Sequence, residues 1–336
     1  MKRRERGFTM IELMVAMVLG LVIIGGATSL ILANRQSYRT NEALSQVQES
    51  ARTAFELLAR DVREAGISGC TNNNRMANVL ETSSGTLWWQ TWFGMSGFEG
   101  NQAHPAVSFT DTTRPPRNAG TDSVILQGIQ GLGLTVENHE PTSSNFKINA
   151  TTTDFVDDDI LIVCDFDHSV MVQVTDYNAN NVTVVHNTGS GVATPGNCSK
   201  GMGYPTDCSS TNGNEYIFGP NSQVARFSVV TYYIGNNNRP AEGGRSLYRI
   251  RMGAGAQLFT EEVVAGVTDM QLTYREQGVN EFRTANNVGT WGNVNAMMIT
   301  LTVQSADQRV TTDPTVSAGR IERRFSNIVA LRNRVP

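Results

Sequence analysis

The hydrophobic pattern of the chain changes period twice. Residues Phe8 to Ala33 read FTMIELMVAMVLGLVIIGGATSLILA, an apolar run of 26 positions whose only charge is Glu12. As a helix rising about 1.5 Å per residue, this run spans roughly 39 Å, more than the ~30 Å hydrocarbon core of a bilayer. From Asn34 the pattern turns amphipathic. Leu44, Val47, Ala51, Ala54, Leu58, Val62 and Ala65 recur at intervals of three and four, and Phe55 widens the stripe. Glu56 with Arg60, and Arg60 with Glu64, stand four apart on the polar side. Gly66 can take the left-handed conformation that ends helices. The two halves therefore predict one helix of about 58 residues, whose second half lays its stripe on a folded body.

Beyond Gly66 short β-rich runs alternate with turn residues. The clearest are Val124–Leu126, Ile160–Cys164, Val170–Val174, Val182–His186, Phe227–Ile234, Leu247–Met252, Met270–Arg275, Met297–Val303 and Ile328–Leu331. In the C-terminal third the connections are too short for helical crossovers, so these strands are expected to be antiparallel. The fold class is α+β, a long N-terminal helix packed on an antiparallel β-sheet head.

Charge orients this arrangement. Lys2, Arg3, Arg4 and Arg6 stand against Glu5 before the apolar run, which keeps the N-terminus cytoplasmic and puts everything after residue 33 outside. The formal net charge of −4 becomes −7 once the local +3 of the first seven residues is set aside. An acidic body without a basic stripe argues against nucleic acid as a partner. No small-residue cleavage site ends the apolar run as in an ordinary secretory signal, so the segment stays attached as a membrane anchor. Cys70, Cys164, Cys198 and Cys208 all follow the anchor, with no C-x-x-C pair and only scattered histidines, which fits two disulfides in an oxidising compartment better than a metal site. Three pairings are open. The favoured one closes the short Gly-containing loop between Cys198 and Cys208 and leaves Cys70 for Cys164.

Glu12 is the unusual residue, because a carboxylate at that depth costs roughly 2.5–3.5 kcal/mol unless a cation meets it. With Arg6-Gly7-Phe8-Thr9-Met10-Ile11-Glu12-Leu13 after a basic leader, the N-terminus resembles the processing site of type IV prepilins. The resemblance implies cleavage after Gly7 by a prepilin peptidase, N-methylation of Phe8, and a docking role for Glu12 toward the amine of a neighbouring subunit. Gly20, Gly25 and Gly26 lie inside the helix, which lacks the Pro many pilins carry there; Gly25-Gly26 is then the place for any unwinding in a filament.

Parts of the body resemble the PilW-type minor pilins. These are Arg60-Asp61-Val62-Arg63-Glu64-Ala65-Gly66 with Gly69-Cys70, Asp159 to Asp165, Tyr232-Tyr233-Ile234 with Ser246-Leu247-Tyr248-Arg249, Val263 to Gln271, and Leu331-Arg332-Asn333-Arg334. The implied organisation is a leader at 1–7, a membrane and filament-core helix at 8–33, an amphipathic helix at 34–66 and a β-rich periplasmic head at 67–336. The implied function is a minor pilin, anchored in the inner membrane, that enters a type IV pilus and helps initiate its assembly. Its implied partners are the peptidase, other minor pilins and the major pilin, the inner-membrane assembly machinery and a tip adhesin. A minor pseudopilin of type II secretion, or a ligand-binding tip subunit for adhesion or DNA uptake, are the alternatives.

No cofactor, metal or enzymatic motif accompanies this pattern. Asp154, Asp157, Asp158 and Asp159 lack the alternating spacing and central Gly of a calcium loop and read as a solvated turn. Gly131-Leu132-Gly133 and Gly253-Ala254-Gly255 lack the rest of a dinucleotide fingerprint, and no Ser stands in a G-x-S-x-G elbow. Trp88, Trp89, Trp92, Phe93 and Phe98 read as core packing, with a partner-facing patch as the second reading.

Overall fold

The computed structural model describes residues 7, 9–70, 75–82, 85–188, 194–311, 317–332 and 334, with Leu132 and Ser317 described by backbone alone. Its first element, α1 (Met10–Glu64), runs unbroken through Gly25 and Gly26. In this helix the exposed apolar half gives way to a buried stripe of Ala43, Val47, Ala51, Ala54, Leu58, Ala59 and Val62. Leu44 and Phe55 pack beside them, half-buried. On the polar side Arg52 Nε pairs with Glu56 Oε1 at 2.8 Å, so Glu56 reaches back one turn, away from Arg60. Gly66 follows with φ +78°, and its N–H donates to the Gln127 carbonyl at 2.7 Å. The helix thus ends against a strand.

The strands follow in order: β1 (Met76–Asn78), β2 (Met95–Phe98), β3 (Ser123–Glu140), β4 (Asn145–Ile148), β5 (Ile160–Cys164), β6 (Ser169–Gln173), β7 (Asp176–Asn178) and β8 (Thr183–Val185). After these come β9 (Gln223–Asn236), β10 (Arg245–Met252), β11 (Leu258–Ala265), β12 (Val267–Glu276), β13 (Val294–Gln304) and β14 (Glu322–Ala330). Strands β1 to β11 form one 11-stranded sheet, and β12-β13-β14 form a second, smaller one. All pairings are antiparallel except β1 with β6.

Strand β9 organises the large sheet, carrying β3 on one edge and first β5, then β10, on the other. The chain passes to the small sheet at a single residue, Gly266 (φ +78°), between β11 and β12. A Cβ there would sit 2.6 Å from the Gln304 carbonyl oxygen, so this corner requires glycine. Asp122 ties the sheets together, with its N–H on the Met270 carbonyl and its carboxylate accepting from Leu272 N, both at 2.8 Å.

The main core lies between the α1 stripe and the small sheet. Leu272, Met297, Ile299, Leu301, Val303 and Val329 meet the helix together with Tyr232, Ile234 and Leu247 of the large sheet. Alanines at five helix and cap positions, Ala43, Ala51, Ala54, Ala59 and Ala65, let the backbone approach closely. The folded head therefore begins inside the helix. A fragment starting at residue 67 would lack one wall of its own core.

Candidate assembly site on the N-terminal helix

Thr9 is the N-cap of α1, and with Glu12 it forms a reciprocal capping box. Thr9 Oγ1 accepts from Glu12 N at 3.3 Å, while Glu12 Oε2 accepts from Thr9 N at 2.9 Å and from Thr9 Oγ1 at 2.8 Å. Both of these contacts fall on the same carboxylate oxygen. Glu12 Oε1 has no hydrogen-bond partner among the described residues, so it is open to a donor from outside the chain. The box holds the carboxylate at the head of the helix, where an anion also complements the macrodipole. Gly7 lies exposed just before the cap. Phe8 and leader residues 1–6 lie outside the described residues.

Downstream, the surface of the anchor is apolar, with exposed Leu, Ile, Val and Met interrupted by glycines. A Cβ on Gly20, Gly25 or Gly26 would meet nothing within 4 Å. Thr28 and Ser29 donate their hydroxyls to the Ile24 and Gly26 carbonyls at 2.8 Å, which satisfies both groups within the helix. The apolar window has mean hydropathy 2.5 and none of it is buried inside the molecule, as a membrane span or a helix awaiting other helices would require.

At the other end of α1, three of the sequence segments singled out above converge. Asp61 Oδ2 accepts from the buried Tyr232 hydroxyl at 2.7 Å and stands 3.8 Å from the Arg249 guanidinium. Arg249 in turn pairs with Glu261 at 2.6 Å. Burial first, and then the Asp61 carboxylate, push the Tyr232 phenol far above its ordinary range, so it stays a donor. A fourth segment closes the same end. Arg332 N donates to the Arg63 carbonyl at 3.2 Å. Arg334 tucks its guanidinium beside Gly66 and donates to the carbonyls of Trp291 (2.7 Å) and Val294 (3.3 Å).

Disulfides brace the surroundings. Cys70 joins Cys164, tying the segment after the helix to the end of β5, and Cys198 joins Cys208. In the acidic cluster, Asp159 is buried and accepts from Val156 N and Gly255 N, and Asp157 accepts from Tyr177 N. These carboxylates stitch turns, and no group of three or more His, Cys, Asp or Glu suited to a metal occurs among the described residues. In the aromatic cluster, Trp89 is buried with its ring 6.1 Å from Phe227, and Trp88, Trp92, Phe93 and Phe98 pack half-buried around the same core. The cluster is core, as its simpler reading had it.

Two functional features were not read from the sequence. The Thr9 cap carries a signal, the T-x-x-E spacing of Thr9 and Glu12 ahead of an apolar run. The Asp61–Tyr232–Arg249 link carries none, because its members are far apart in the chain.

Comparison with known families agrees with this geometry at both ends. Residues 2–28 match the prokaryotic N-terminal methylation motif. Residues 231–333 match the type IV pilus-assembly protein W family, a stretch covering the end of β9, both strands that follow it in the large sheet, and the whole small sheet. No curated protein matches the chain. A family of this kind implies a structural protein, and the leader with its apolar helix suits an inner-membrane anchor. The methylation motif on the anchor and the assembly-protein domain on the sheet that receives it together support a PilW-type minor pilin of type IV pilus assembly.

Proposed function

We propose that the protein is inserted in the inner membrane with its N-terminus cytoplasmic and its head periplasmic, and helps initiate a pilus by docking its helix against those of other pilins. In this reading the peptidase cuts after Gly7 and methylates Phe8, and the Glu12 carboxylate of one subunit meets the new amine of another. The observation that carries it is the single carboxylate of the apolar helix, with one oxygen held by Thr9 and the other open. In low dielectric an amine meeting that oxygen gains far more than it would in water. The minor and major pilins and the inner-membrane assembly machinery are the partners this mechanism needs.

Glu12→Ala tests it. Losing the carboxylate removes an insertion penalty of roughly 2.5–3.5 kcal/mol, so the variant should remain in the membrane. Its head core, built from Ala43 onward, should keep its fold and disulfides, while recovery with partner pilins falls. Undiminished co-purification and filament formation would refute the docking role. Mass spectrometry of the mature N-terminus checks the processing step, which a bulky residue at Gly7 should block.

A further inference from the structure

The last turns of α1 overlook an open groove. Arg60 and Arg63 stand on its helix side, Ile67 and Ile129 form an apolar floor, and Ala330 and Arg332 close it where β14 ends. The three arginines are exposed, and none makes an ion pair with a described residue. Elsewhere Arg52, Arg239, Arg249 and Arg251 all find carboxylates. Among the described residues Glu64 is the one carboxylate lining the groove, so a basic surface is left open on a chain of net charge −4. The helix macrodipole accounts for cations at Arg60 and Arg63. It does not account for Arg332, which is not on the helix.

The groove runs on into a free sheet edge. Strand β14 pairs with β13 alone, and from Arg323 to Ala330 its other edge makes no backbone hydrogen bond to a described residue. Unpaired N–H and C=O groups along an edge can accept a further strand. Arg323 and Arg324 lie exposed at its start beside Glu322, so a net positive charge borders the edge at both ends.

We propose that this groove and edge bind an extended acidic segment of a neighbouring pilus protein, whose backbone adds to β14 and whose carboxylates sit against Arg60, Arg63 and Arg332. The proposal rests on the pilin reading for the source of the segment. Charge complementarity selects the sign of the ligand, the open edge selects an extended backbone, and the Ile67–Ile129 floor selects alternate apolar side chains. A nucleic acid fits less well. Among the described residues no aromatic side chain lines the groove for base stacking, and the surrounding molecule is acidic.

The test uses the full chain in detergent micelles and a fluorescent peptide of alternating Glu and Val. This probe should bind more tightly than its Lys–Val counterpart, with an affinity that falls as salt rises. Arg60→Glu/Arg63→Glu/Arg332→Glu should weaken it by about tenfold or more, from three partly exposed ion pairs reversed together. The triple Lys variant should retain most of the binding, and far-UV circular dichroism of both variants should match the parent. Equal binding of the two peptides, or indifference to charge reversal in a folded variant, would overturn the proposal. So would an oligothymidine that outcompetes the acidic peptide. Because binding is read on the isolated chain, Glu12→Ala should leave it unchanged, and failure of the docking-charge reading is then separable from failure here.

Discussion

Replacing Asp61 by Ala should destabilise the protein by about 2–4 kcal/mol, and most of that loss should vanish when Tyr232 is already Phe. The Tyr232 hydroxyl is fully buried, and Asp61 is its acceptor at 2.7 Å. Without the carboxylate this hydroxyl loses a hydrogen bond to a charged group, worth about 1.5–3 kcal/mol, and stays dehydrated. Arg249 loses a partner only at 3.8 Å and keeps Glu261 at 2.6 Å, so its share is at most about 1 kcal/mol. Tyr232→Phe alone removes the donor and leaves Asp61 with the distant arginine, at about 1–2 kcal/mol. The interaction energy between the two sites should therefore be about 1.5–3 kcal/mol. Urea unfolding of parent, single and double variants in micelles, followed by the fluorescence of the four tryptophans, measures it. An interaction energy below about 0.5 kcal/mol would mean that this polar link is incidental to how the helix is held.

Three further outcomes follow. Removing the Cys70–Cys164 bond, which spans 94 residues, should lower stability by about 4.5 kcal/mol, against about 3 kcal/mol for Cys198–Cys208 with its span of 10, as read by unfolding midpoints of Cys→Ser pairs. Burial holds His139 at about 4 and His186 at about 3, below the ordinary 6.5, so stability present above pH 6.5 is lost as pH falls toward those values. The loss should reach about 2 kcal/mol for each by pH 5, opposed by Asp122, whose pKa burial raises to about 6, and His139→Phe/His186→Phe should flatten the acid limb of a melting-temperature profile. Gly266→Ala forces a left-handed alanine into the Gln304 carbonyl and should cost about 2 kcal/mol or more by denaturant unfolding.

What the sequence disclosed depended on how strong a period each element carried. The helix was legible because its apolar run and its three-and-four stripe are both long, and β5 was legible to the residue because Ile160–Cys164 is apolar throughout. Strand β3 was read only at Val124–Leu126, since Gly128, Gly131 and Gly133 interrupt it. It continues to Glu140 by means of a register shift between Gln130 and Leu134. The short strands β1, β2, β4 and β7, of three or four residues each, passed unseen, as did β11, which carries Glu261 and Glu262. These borrow their extended form from neighbours already in place. The division into two sheets hangs on Gly266, one residue whose role depends on a carbonyl 38 positions away in a different strand. At the candidate site, Glu12 stood out by its charge. The partners of Asp61 did not, because side-chain contacts across the fold leave no local trace.

The joining of the helix to strands made long after it has a consequence for biogenesis. Thr40 donates to the Val310 carbonyl 270 residues further along, and the Arg63 carbonyl waits for Arg332. The stripe from Ala43 to Val62 therefore lacks the part of its cover supplied by β13 and β14 until nearly the whole chain has been synthesised. Contacts of such sequence separation form late, and an apolar face left bare in the meantime invites aggregation or proteolysis. On the membrane-anchored reading proposed above, the subunit is tethered well before it is folded. Closure of β13 and β14 onto the helix is the step that completes the cover of the stripe.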